Sequence, residues 1–185
     1  MVKNILPLLL LLFWVSLSFS QTTVKSVNIG ISRVTGYEYK YWELGPSIGA
    51  QLFYPQGSAF MFGGRIAANR WSSDKDELTG KYQGNTEGRT IDSYGLVFEF
   101  TPGFRYHLIQ ISEKINFFSQ MGFGLYNINF ETSKIFENNL GLNLGMIVVF
   151  YIHPLIQPEI SLLFHTIFRG KNSLSYLSLN TGIIF

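Results

Sequence analysis

The sequence predicts an all-β fold: a closed antiparallel barrel of eight up-and-down strands that spans a membrane. Three observations predict it. Apolar and polar residues alternate with a period of two in eight separate segments. The connections between these segments are alternately long and short. Charged residues make up only 14% of the chain, well below the roughly 25% that is usual in soluble domains.

The alternation assigns two faces to each segment. In segment 140–151, for example, Leu144 belongs to the apolar face and Asn143 to the polar face. Most segments are longer than the roughly 5 to 6 residues of an average soluble strand, and a tilted strand needs about 9 to 11 residues to cross a bilayer. The eight segments cover residues 26–32, 47–54, 60–69, 93–108, 117–126, 140–151, 158–168 and 177–185.

The composition of the two faces indicates which one looks outward. The polar face consists mainly of Gly, Ser, Asn and Gln, with very few Lys or Glu residues inside the segments. Such a face is too weakly charged to solvate a secreted barrel, whereas it suits a crowded interior. The apolar face is rich in Leu, Ile, Phe and Met, which suits lipid. A soluble secreted ligand-binding barrel, with its apolar face inside, is the alternative.

The connections differ in length at the two ends of the predicted barrel. Long polar connections follow the first, third, fifth and seventh strands, at residues 35–43, 71–89, 131–139 and 169–173. Short ones follow the second, fourth and sixth strands, at residues 55–58, 109–114 and 153–155. Transmembrane barrels show this asymmetry, with short turns at one end and longer loops at the other.

The N-terminal segment is typical of an export signal. Lys3 precedes an apolar run over residues 5–19, and the small residues Ser18 and Ser20 stand just before Gln21. We therefore expect residues 1–20 to be a cleaved signal peptide and residues 21–185 to form the barrel domain; an uncleaved membrane anchor is the alternative. The chain has no cysteine, which excludes a disulfide scaffold and a thiol nucleophile.

Two stretches carry a resemblance to a known family. Residues 100–108, a short turn and residues 115–126 form a hairpin, and the last strand places alternate residues on one face. The chain resembles the small eight-stranded outer-membrane barrels, namely the OmpA-type transmembrane domain and its OmpX- and OmpW-like single-domain relatives. The resemblance implies location in the bacterial outer membrane. It also implies a C-terminal insertion signal that the barrel-assembly machinery recognises, formed by Leu177, Leu179, Thr181, Ile183 and Phe185. Thr181 is less apolar than is usual in that signal.

Four charged residues inside the strands have inward parity and form a predicted lumenal charge cluster: Arg65, Glu99, Arg105 and Glu159. An eight-stranded barrel has an interior just wide enough for side chains to fill it, and buried charges need partners. The cluster is therefore expected to be a plug of ion pairs. A narrow polar pathway is the alternative, and the pairing of the charges depends on a register that the sequence leaves open.

Catalysis and metal binding have little support in the sequence. His107, His153 and His165 share no metal-ligand spacing. Enzymes of the family that deacylate lipid A carry a His-x-Ser motif, but Ile167 stands where the serine would follow His165, and no carboxylate comes after it. We expect no enzyme activity, no metal and no cofactor.

The remaining functional residues are expected in the loops. Tyr39, Tyr41, Trp42 and Trp71 are candidates either for an outer aromatic belt or for contacts with an extracellular ligand. The net charge of +2 is too small, and its cations too scattered, for a nucleic-acid surface. The sequence thus predicts a monomeric integral outer-membrane protein with a structural or surface-interaction role, in contact with lipid. A porin-like channel for small or apolar solutes is the alternative.

Overall fold

Eight antiparallel strands close into a single barrel, as the alternation predicts. The computed structural model describes residues 23–35, 42–72, 94–130, 135–153, 155–170 and 172–185. Each strand pairs with its neighbours in the sequence, and β8 returns to pair with β1. The strands are β1 (Val24–Thr35), β2 (Gly45–Gln56), β3 (Phe60–Ser72), β4 (Tyr94–Ser112), β5 (Ile115–Phe130), β6 (Ile135–Phe150), β7 (Gln157–Arg169) and β8 (Asn172–Ile184). Within the described residues, no helix is long and apolar enough to cross a membrane.

Two connections that the sequence suggests are long prove to be short. Strands β7 and β8 continue to pair as far as Arg169 and Asn172, which leaves two residues between them instead of a loop over residues 169–173. Strands β5 and β6 likewise pair up to Phe130 and Ile135, within the expected loop at residues 131–139. The strand pairing continues beyond the apolar band, into stretches of polar residues. Because those residues are polar, the sequence indicates loops there. The connections after β1 and β3 remain the long ones.

Outward and inward positions follow the predicted alternation. On β6 the side chain of Leu144 is 53% exposed, whereas that of Asn143 is fully buried. The same pattern on every strand places leucine, isoleucine and phenylalanine on the outer face and polar residues inside. The outer face therefore suits lipid rather than water.

The interior is filled in three levels along the barrel axis. Polar side chains occupy the middle. At the end with the long loops lies a group of buried apolar residues, here called the loop-end cluster: Val34, Trp71, Val97, Tyr126, Ile128, Ile167, Leu174 and Tyr176. At the end where β1 begins and β8 ends lies the terminal-end cluster: Phe118, Ile147, Val149 and Ile184, with Val24 and Met61 packed against it.

Glycines on the inner face make room for these large side chains. A Cβ atom at Gly141 would lie 2.7 Å from the ring of Tyr126, and one at Gly122 would lie 3.0 Å from the amide of Asn143. Because an eight-stranded barrel has so little internal space, Tyr126 and Asn143 fit where the neighbouring strand position lacks a side chain.

The outward assignment of β6 predicts a depth-dependent cost of adding charge. Leu144→Arg, in the middle of the apolar face, should lower the free energy of unfolding by about 2 to 4 kcal/mol, while Phe136→Arg, near the loop end of the same face, should cost only about 0 to 1 kcal/mol. Reversible urea unfolding of the barrel in phospholipid vesicles measures both values. Equal costs at the two positions would contradict a lipid-facing β6.

Candidate functional site

The charged residues of the middle level form two separate ion pairs, and the first joins β3 to β4. The Nε atom of Arg65 lies 2.5 Å from Oε1 of Glu99, and both side chains are buried. The residue opposite Glu99 on β3 is Ala67. Its small side chain leaves space for the guanidinium to lie along the barrel wall and reach the carboxylate.

The second oxygen of Glu99 extends this pair across the barrel. Tyr176 on β8 donates its hydroxyl to Oε2 of Glu99 at 2.8 Å, and Nδ1 of His165 on β7 lies 3.1 Å from the same oxygen. The rings of His165 and Tyr176 stack with their centroids 4.2 Å apart. One carboxylate therefore connects strands on opposite sides of the barrel.

The second ion pair lies closer to the chain termini. Nη1 of Arg105 is 3.4 Å from Oε2 of Glu159. The other guanidinium nitrogens donate to the side-chain oxygens of Gln120 at 2.9 Å and Gln51 at 2.8 Å. The guanidinium also lies over the ring of Phe53, 4.5 Å from its centroid. Every nitrogen of Arg105 thus has a partner, which is what a buried cation requires.

Glu159 is satisfied in the same way. Its Oε1 atom accepts hydrogen bonds from Ser26 Oγ at 2.7 Å and Asn28 Nδ2 at 3.1 Å. These donors come from β1, whereas Arg105 comes from β4.

Arg65 differs from Arg105, because among the described residues its two terminal nitrogens, Nη1 and Nη2, have no hydrogen-bond partner. The structure thus brings all four predicted residues into the interior and pairs Arg65 with Glu99 and Arg105 with Glu159.

Sequence inspection missed a further arrangement around His165. Its Nε2 atom lies 3.0 Å from the hydroxyl of Ser178, while Nδ1 faces Glu99. The order serine, histidine, carboxylate is the one that serine hydrolases use. The three residues lie on β8, β7 and β4, so no local motif could have indicated it. Ser178 is fully buried, and its oxygen also accepts a hydrogen bond from Asn180 at 3.3 Å, so its hydroxyl is not accessible from outside the barrel.

The expectation of an exposed Trp71 is wrong. Strand β3 extends to Ser72, and Trp71 has the same inward parity as Arg65 and Asn69. Its indole is 2% exposed and meets the ring of Tyr176 at a centroid distance of 5.0 Å. Trp42 is partly buried and packs against the loop-end cluster. Tyr39 and Tyr41 lie outside the described residues.

The five residues of the predicted insertion signal lie together on the outer face of β8 and just beyond its end. Leu177, Leu179, Thr181, Ile183 and Phe185 are all exposed. The backbone nitrogen of Phe185 donates to the carbonyl of Lys25 at 2.9 Å, which continues the pairing of β8 with β1. The role of this stripe in membrane insertion stays a prediction.

The histidines lie apart from one another. His107 contacts Asn116 Oδ1 at 2.9 Å, and His153 accepts a hydrogen bond from the backbone of Leu155 at 3.2 Å. Nowhere in the described part of the chain do three His, Asp or Glu side chains gather as a metal site would require.

Comparison with solved structures gives the same architecture. Neisserial surface protein A superposes with a TM-score of 0.65 at 9% identity, over 89% of this chain and 96% of that one. The chain shares the fold of the small eight-stranded outer-membrane barrels. Ail, the attachment invasion locus protein of Yersinia pestis, matches with a TM-score of 0.52 at 18% identity, over 88% of this chain and 97% of Ail. The N-terminal barrel domain of Pseudomonas aeruginosa OprF matches with a TM-score of 0.52 at 12% identity, over 89% of this chain and 98% of that domain.

Sequence comparisons alone find no such likeness. No protein-family model matches the chain, and no curated protein matches it. At identities of 9 to 18%, the likeness to these outer-membrane barrels is a likeness of fold. The residues of the interior must therefore be interpreted from their own geometry.

The buried pairs predict a strong dependence of stability on Glu99. Glu99→Ala leaves Arg65 buried without a counter-charge and should lower the free energy of unfolding by about 3 to 5 kcal/mol. A matched control is Glu137→Ala, because Glu137 pairs with Arg169 at 2.7 Å near the loop end, where the side chains are 30% and 24% exposed. That change should cost at most about 1 kcal/mol. Urea unfolding in vesicles measures the free energy of unfolding of both variants. Equal decreases for Glu99→Ala and Glu137→Ala would contradict a dry interior.

Proposed function

We propose that residues 21–185, after removal of the signal peptide, form an integral protein of the bacterial outer membrane. Its role is structural or one of surface interaction, carried by the loop end of the barrel. One observation supports this most directly: apolar residues close the interior on both sides of the polar level. The outer face supports lipid as the surrounding medium. A closed barrel has no unpaired strand edge, which supports a monomer, inserted with the help of the barrel-assembly machinery.

The filled interior argues against the alternative of a channel. A hydrated solute needs a continuous polar path, yet Trp71 and Tyr176 cross the lumen at the loop end, and Phe118 and Ile147 occupy the other end. Between them the guanidinium groups of Arg65 and Arg105 are held by carboxylates and amides. The interior therefore acts as a structural plug, and any interaction with a ligand takes place at the outer surfaces of the barrel.

The loop end is the surface with the greatest capacity for recognition. The connections after β1 and β3 cover residues 36–44 and 73–93, which are rich in Tyr, Asp, Glu and Lys. Ail has been solved in complex with the heparin analogue sucrose octasulfate. In this chain residues 73–93 contain more Asp and Glu than Lys and Arg, which disfavours a polyanion. An uncharged or cationic extracellular ligand fits this loop better.

Planar bilayer recording tests the plug. The unmodified barrel should show no steady conductance after insertion, because side chains block the lumen. The double variant Arg65→Ala/Trp71→Ala removes the largest side chains from the middle level and the loop-end cluster, so it should conduct measurably and show that the assay detects an open barrel. Steady conductance of the unmodified protein would contradict the plug and favour transport.

The absence of catalysis is the second part of the proposal, and Ser178 tests it. Because Ser178 is fully buried, the folded barrel should not react with a fluorophosphonate probe in detergent or in vesicles. Labelling of the native protein that disappears in both Ser178→Ala and His165→Ala would contradict the proposal and indicate a hydrolase. Labelling that persists in Ser178→Ala would arise from another residue.

A further inference from the structure

Exposed apolar side chains lie in two neighbouring segments at the terminal end of the barrel. They are the last residues of β4, just before its turn to β5, and the connection between β6 and β7; the backbone nitrogen of Tyr151 donates to the carbonyl of Lys114 at 2.8 Å and joins the two segments. Their exposed fractions range from 47% to 74%. We call this set the apolar turn patch: Leu108, Ile109, Ile111, Ile152, Leu155 and Ile156.

The patch continues the lipid-facing surface past its expected lower edge. On β4 the outward face is apolar from Phe98 to Leu108. At about 3.3 Å per residue and a tilt of about 40°, those ten steps span roughly 25 Å, the height of the apolar band of a membrane barrel. The register with β5 shifts by one residue between His107 and Ile109 and again between Gln110 and Ser112. Ile109 therefore lies at that height and Ile111 beyond it. Ile109 pairs with Phe117 on the outer face of β5, so apolar side chains connect the band to the patch, with Gln110 and Ser112 exposed beside them.

The opposite side of the barrel has a lower apolar face. On β1 the outward residues between Lys25 and Arg33 are apolar, and both cations share their parity. Their eight residue steps correspond to about 20 Å along the axis by the same geometry. The turn between β2 and β3 is polar, with Gln56, Gly57 and Ser58 exposed. Counted along the ladder with β5 to its last residues, the apolar outer face of β4 covers eleven steps, about 28 Å, which is roughly 8 Å more than the distance between the two cations on β1.

We propose that the apolar turn patch inserts into the headgroup boundary of the membrane leaflet next to the chain termini and binds its phospholipids. The occupant follows from the continuity of the patch with the lipid-facing surface. A bilayer of even thickness meets such a surface if the barrel tilts, or if lipid thickens locally around β4 to β6. Exposed Glu113 and Lys114 at the tip of the β4–β5 turn then lie among the headgroups, which limits the depth of insertion.

This inference rests on the proposed membrane location, and single-cysteine labelling separates the two because the chain has no cysteine of its own. Ile111→Cys and Leu155→Cys probe the patch. Ser58→Cys is the matched control in a polar turn at the same end, and Leu144→Cys is the control for the membrane-facing band. Each variant is labelled with a bimane fluorophore and placed in phosphatidylcholine nanodiscs, where both membrane surfaces meet the solution. Quenching is measured with lipids brominated near the headgroup and with aqueous iodide.

The labels at residues 111 and 155 should be quenched several-fold more by brominated lipid than the label at residue 58, and several-fold less by iodide. Labels at 111 and 155 that respond as residue 58 does, while residue 144 responds to lipid, would overturn the patch and leave the membrane barrel intact. A label at 144 that ignores lipid would overturn the membrane location itself. Protection of 111 and 155 from both quenchers would overturn the lipid assignment in favour of a second copy of the chain.

Discussion

The pairing of β8 with β1 is the constraint on which the rest of the structure depends. It runs from Ser26 opposite Ile184 to Thr35 opposite Ser175. In lipid no water is available to hydrogen-bond an open strand edge, so a sheet can span a membrane only if it closes. Closure with eight strands fixes a narrow interior. Alternation then sends every second side chain into that interior, and the outer face is left to the lipid.

The contents of the interior follow from this geometry. Polar residues face inward because apolar ones are needed outside, and several of them hydrogen-bond one another across the lumen. Glu99 and Glu159 each combine an arginine with donors from other strands, so two carboxylates tie together much of the barrel wall. Clusters of buried apolar residues lie above and below this polar level. In the proposed function, a barrel built in this way supports the loops at its long-loop end.

Much of this was predictable from the sequence, because strand parity is a local property. The outward position of Leu144 and the inward positions of Asn143 and Arg65 follow from the alternation together with the composition of the two faces. The partners of Arg65 do not, since a shift of two residues between β3 and β4 would preserve parity and change the pair. Ser178 contacts His165, which in turn contacts Glu99, and the strand of Glu99, β4, is distant in sequence from β7 and β8. Trp71 was misplaced because a polar stretch follows it directly, which concealed that the strand continues through it.

Fractionation combined with heat-modifiability tests the central claim, a closed barrel embedded in the outer membrane, most directly. The full chain is expressed in a Gram-negative host, and its membranes are washed with high salt and alkaline carbonate. The protein should stay in the outer-membrane fraction and migrate on an SDS gel at different positions before and after boiling, because the closed ladder resists unheated detergent. Release by salt, together with identical mobility of boiled and unboiled samples, would contradict the account.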